Sequence, residues 1–121
     1  MTLGATLYVN NSVEAARTYC DAFNMTIGYH VFYEDGTYLH AEIEKASQCG
    51  FAVSESHDVA ASAAMIAAQQ PTMSLGLNLD NDDELRHAFE ILSQGGHVIR
   101  ELGELPWSPL SADLVDRFGV F

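Results

Sequence analysis

Apolar residues change their spacing several times along the chain, and each change marks an element. Thr6–Val9 is a short β-prone run that Asn10-Asn11-Ser12 interrupts. From there Val13, Ala16, Cys20 and Phe23 recur at helical spacing while Glu14, Arg17 and Asp21 fall on the other side. This predicts a helix with one apolar face, stopping at Asn24, and Asn11 followed by Glu14 resembles a capping box for its start. Met25–Glu34 and Thr37–Glu44 are rich in β-branched and aromatic residues, and Asp35-Gly36 between them is a hairpin signal. A polar turn at Lys45–Gln48 leads to a third predicted strand, Gly50–Ser54.

His57–Gln70 is biased toward alanine and reads as a linker, partly helical, that ends at Pro71. The order then begins again. Met73, Leu75, Leu77 and Leu79 alternate with Ser74, Gly76 and Asn78, the pattern of a half-buried strand. Asp80-Asn81-Asp82-Asp83 supplies caps and negative charge for a second helix, and Leu85, Ala88, Phe89 and Leu92 form its apolar stripe. Gly95-Gly96 ends it, His97–Glu101 re-enters a sheet, and a strand around Ala112–Val115 lies between Trp107 and the Asp116-Arg117-Phe118-Gly119 turn. Strand, helix and further strands thus occur twice. The expected class is α+β, a single domain over 1–121 made of a first module (1–56), a linker (57–70) and a second module (71–121) whose last strand is incomplete within this sequence.

Composition narrows the partners. A chain of 121 residues, 48% of them hydrophobic, suffices for one core. Seventeen acidic against five basic side chains give a formal charge of -12, which disfavours nucleic acid and anionic membranes and favours a cationic or neutral partner. No apolar run approaches the roughly 20 residues of a membrane span. Cys20 and Cys49, without a secretory signal or a cysteine framework, are expected to be reduced thiols in a cytoplasmic protein.

Alternation along Thr37–Glu44 places Tyr38, His40, Glu42 and Glu44 on one side and Leu39, Ala41 and Ile43 on the other. The polar set is expected to face a cleft. There His40 serves as a ligand hydrogen-bonding group or a general base beside Glu42, or else satisfies neighbouring protein groups. Trp107, Tyr29, Tyr8 and Phe32 are candidates for a stacking surface. His30, His57, His87 and His97 have no common spacing. A Gly-rich phosphate loop ahead of a helix, a Gly-x-Ser-x-Gly elbow and a Cys-x-x-Cys pair are all missing from the sequence.

Tyr8-Val9 with the helix carrying Ala15-Ala16 and Tyr19, then Leu39-His40-Ala41-Glu42, Phe51-Ala52-Val53-Ser54-Glu55, and Trp107 with Asp116-Arg117-Phe118-Gly119-Val120 together resemble the vicinal-oxygen-chelate superfamily. That group holds glyoxalase, bleomycin-resistance proteins and extradiol dioxygenases, and the chain is most similar to its phosphonate-operon-like, demethylubiquinone-methyltransferase-like branch. The resemblance implies paired β-α-β-β-β modules whose sheets curl into an open barrel with helices outside, a concave binding face, and a homodimer. It also implies metal ligands on the first and last strand of each module. Here those positions fall near Gly4 and Ser74, at Ala52 or Val53, and just past Phe121. Gly, Ser, Ala and Val side chains are poor donors for a transition metal. The expected protein is therefore a metal-free, non-catalytic binder of a small cationic or aromatic ligand in a dimer cleft, with Tyr38, His40, Glu42, Ser54 and Trp107 as ligand-binding residues. The alternative is a lyase, isomerase or dioxygenase using a divalent metal.

Overall fold

The β-prone runs of the first half find one another in space. The computed structural model describes residues 1–67 and 72–121. Its elements are β1 (Thr6–Val9), α1 (Ser12–Phe23), β2 (Thr26–Phe32), β3 (Tyr38–Lys45), β4 (Gln48–Glu55), α2 (Val59–Ala67), α3 (Asp82–Ser93), β5 (His97–Leu105) and β6 (Ser108–Val115). The first four strands form a sheet of order β1-β4-β3-β2, with β1 parallel to β4 and the other pairs antiparallel. β5 and β6 form an antiparallel ribbon. The mixed α+β architecture expected from the sequence is present, as two sheets with helices packed on them. Pro71 and residues 68–70 of the predicted linker lie outside the described residues; α2 occupies the linker's middle.

One face of the first sheet carries the core. Leu7, Val9, Ala41, Ile43, Phe51 and Val53 pack against Ala15, Ala16 and Tyr19 of α1. Ile43, Val9 and Val53 are fully enclosed, and each contributes roughly 1.5–3 kcal/mol by leaving water. The buried stripe of α1 is centred on Ala15, Ala16, Tyr19 and Ala22, whereas the predicted positions Val13, Cys20 and Phe23 are only partly buried. Small residues let the helix sit close to the sheet, and the Tyr19 ring fills the space beside Phe51.

The start of α1 differs from the expected capping box. Asn11 adopts the left-handed conformation (φ 56°) and its side chain makes no cap bond. Glu55, at the end of β4, supplies the acceptors instead: its carboxylate takes the N–H of Asn11 at 3.1 Å and of Ser12 at 2.9 Å. α3 follows the sequence, since Asn81 accepts the Glu84 N–H at 2.9 Å and the Glu84 carboxylate accepts the Asp80 N–H at 3.2 Å.

Met73–Leu79 is not a strand. The alternation is there, but among the described residues its backbone makes a single bond of the required kind, from Leu75 N–H to the Phe121 carbonyl at 2.8 Å. A strand exists only through a neighbour that completes its ladder, and periodicity alone does not supply one. The segment borders a cavity of about 380 Å3 lined by Phe23, Leu77, Leu85, Phe89, Leu92 and Leu114, which keeps most of the predicted α3 stripe half-buried.

Candidate functional site

The face of the first sheet that turns away from α1 gathers the candidate chemistry. Tyr8 pairs with Ser54, Thr6 with Ala52, and Glu42 with Ala52, while Leu7, Val53, Ala41 and Ile43 point into the core. Alternation therefore places Tyr8, Ser54, Glu42, His40 and Glu44 together on the open face. His40 Nε2 lies 3.6 Å from Glu42 Oε1, beyond hydrogen-bonding range. Tyr8 is 70% exposed and Ser54 6% exposed, so the serine forms part of the floor and the tyrosine stands at its rim.

Three irregularities bend this sheet. Ile27 pairs with Ile43 and His30 with Ala41, so Gly28 and Tyr29 both oppose Glu42. That bulge brings the Tyr29 ring within 6.3 Å of His40. Leu39 is an extra residue between the Val31–His40 and Phe32–Tyr38 pairs, and Gly50 is extra opposite Ile43–Glu44. Bulges increase local twist and re-aim side chains, and here they curve the surface around His40 and Glu42.

The Leu39 bulge also corrects the expected facing of β3. Simple alternation would put Tyr38 beside His40. With one residue inserted, Tyr38 turns to the helix side, where it is 5% exposed, belongs to the core and stacks on Phe32 at 4.7 Å. Its N–H bonds to Ser12 Oγ at 2.9 Å. Trp107 lies in the turn between β5 and β6, 80% exposed, on the other sheet. Of the five candidate residues, the structure brings His40, Glu42 and Ser54 together and leaves Tyr38 and Trp107 apart from them. Tyr8 and Tyr29, weaker candidates in the sequence, join the three.

Two further polar clusters lie elsewhere. At the β2–β3 turn, Asp35 accepts hydrogen bonds from the Thr37 hydroxyl and N–H and from His57 Nε2 at 3.0 Å. Those bonds, led by the Thr37 hydroxyl, hold its carboxyl down at a pKa of about 2. At the end of β6, Asp116 accepts the Tyr19 hydroxyl at 2.6 Å, the Phe118 N–H at 2.9 Å and the Val120 N–H at 3.0 Å. Burial raises both acid groups of this pair. Arg117 reaches Glu14 and Thr18 of α1 at 3.1 and 3.0 Å and lies over the Phe118 ring. The Asp116-Arg117-Phe118-Gly119 segment is therefore a clasp that ties the end of β6 to α1.

The profile of the glyoxalase/bleomycin resistance protein/dioxygenase superfamily matches residues 3–120. The chain belongs to this superfamily. Solved structures of the same fold include the PhnB protein of Bacillus cereus (24% identity, 99% of this chain and 95% of that one, TM-score 0.75). A Pseudomonas aeruginosa protein designated PA1353 is similar at 24% identity over 99% and 92% of the two chains (TM-score 0.68), and a Staphylococcus aureus protein designated SA1046 at 15% over 99% and 91% (TM-score 0.62). Comparison with curated proteins finds no match. Among the described residues no group of three His, Cys, Asp or Glu side chains is arranged around a common point. His40 and Glu42 alone make two ligands where at least three protein donors are usual. No described helix is long and apolar enough to cross a membrane.

Proposed function

We propose that the open face of the first sheet binds a small cationic or aromatic molecule without transforming it. The observation that supports this reading is the assembly of Tyr8, Tyr29, Ser54, His40 and Glu42 on one curved surface. Aromatic rings offer stacking and cation–π contact, the carboxylate offers charge, and the serine and imidazole offer hydrogen bonds. The chain charge of -12 draws cations toward the face from a distance.

Calorimetry with a panel of aromatic amines and quaternary ammonium compounds tests it. Binding is expected to survive chelator treatment, and His40→Ala is expected to weaken it about tenfold, the loss of one good hydrogen bond or charge contact, while the fold is kept. Loss of binding on chelation would turn the reading into the metal-dependent lyase, isomerase or dioxygenase alternative. A panel with no binder at all would sink both uses of the face.

A further inference from the structure

Glu44 is the group on this face that the reading above leaves unused. It stands two residues from Glu42 on β3, so the two Cα atoms are about 7 Å apart along the strand. Glu42 leans toward His40. Glu44 leans sideways onto β2, and its carboxylate lies against the backbone of Gly28, a residue opposite Glu42, where any Cβ would collide with it. The Gly28 carbonyl is in turn held by His30 Nδ1–H at 2.8 Å, which fixes the bulge under the carboxylate. Among the described residues no lysine, arginine or histidine forms an ion pair with Glu44. Cys49, paired with Glu44 across the sheet, has its thiol pKa pushed up by burial and then by both Glu42 and Glu44.

A second observation points to a ligand rather than to a solvated acidic strip. Ser54 is more than nine-tenths buried on this same face, and its hydroxyl takes part in no hydrogen bond among the described residues. Among the described residues no fully enclosed side-chain polar atom lacks a partner, so the Ser54 oxygen is one that still opens onto the cleft. A buried hydroxyl left without a protein partner is suited to take one from a bound molecule.

Resting on the reading of this face as a cation site, we propose that its ligand is an extended aliphatic amine bearing two positive charges, one held at Glu42 and the other at Glu44. A chain of four or five methylenes with an ammonium at each end spans the gap. The Tyr29 ring flanks the chain, and Ser54 accepts an N–H from the end nearer His40. Gly28 is a positioning residue, since only the absence of a side chain lets Glu44 lie down on β2.

Calorimetry at low ionic strength with cadaverine and pentylamine, which share a five-carbon chain and differ by one ammonium, tests this. Cadaverine is expected to bind roughly tenfold tighter, the scale of one added ion pair at a partly shielded surface. Glu44→Gln and Gly28→Ala should each weaken cadaverine binding far more than pentylamine binding, so that the advantage is erased. Glu104→Gln, the same charge change on the other sheet, should preserve it. Equal binding of the two amines would overturn the diamine assignment and leave the cation face standing. A loss in Glu104→Gln as large as in Glu44→Gln would show a bulk charge effect and overturn it too. Binding of neither amine would also overturn it, and the aromatic-amine panel then decides whether the reading on which it rests stands.

Discussion

Single residues set the local chemistry through bonds that the sequence lists but does not connect. Asp35 is the clearest case. Its carboxyl is held at about 2, below its usual 3.8, first by the Thr37 hydroxyl, then by the Thr37 N–H and by His57. A depressed carboxyl favours the folded state above its unfolded pKa, and that contribution disappears as pH falls through about 2. Between those values the unfolded chain binds the extra proton, so stability rises with pH there. Thr37→Val is expected to move the Asp35 titration, followed by carboxyl NMR shifts, back toward the ordinary range. A titration that stayed put would show that the hydroxyl does not set it.

At the scale of elements, the ends of helices are decided by partners distant in sequence. α1 begins on the Glu55 carboxylate, 44 residues from Asn11, rather than on Asn11 itself. Glu55→Ala leaves the N–H groups of Asn11 and Ser12 without acceptors in a largely buried setting, at a cost of about 1–3 kcal/mol, readable as a lowered denaturant midpoint with an unchanged slope. A change below about 0.5 kcal/mol, the level of an ordinary surface substitution, would mean water replaces the cap. β3 shows the same dependence on a neighbour. Its period-two pattern was legible, yet the Leu39 bulge formed against β2 moved Tyr38 from the open face into the core. The alternation of Met73–Leu79 likewise lacked the paired backbone that turns a pattern into a strand.

For the molecule as a whole, the open face leaves Tyr8 and Tyr29 largely in water and the β5–β6 turn leaves Trp107 there as well. The homodimer implied by the family resemblance remains a proposal, and it predicts a sedimentation mass near twice the 13.2 kDa of one chain at micromolar concentration. A species of 13.2 kDa would confine the cleft to one chain and leave Trp107 without a role in it.

What the sequence determined by itself was whatever depends on neighbours within about one helical turn or one strand. It fixed in place the two main helices and the β2–β3 and β3–β4 hairpins, together with the Asn81 cap, and the ordered set of motifs that marks the superfamily. His40, Glu42 and Ser54 were legible as candidates because their strands alternate. Only the tertiary structure decided which aromatics meet them. Tyr29 arrives by a bulge and Tyr8 by parallel pairing of β1 with β4, and both depend on registers between segments that local spacing does not specify. The same holds for the Asp116 clasp, whose partner Tyr19 lies 97 residues away. Hydrogen bonds and packing over such separations are selected by the whole core at once, so they become visible only when the chain has folded.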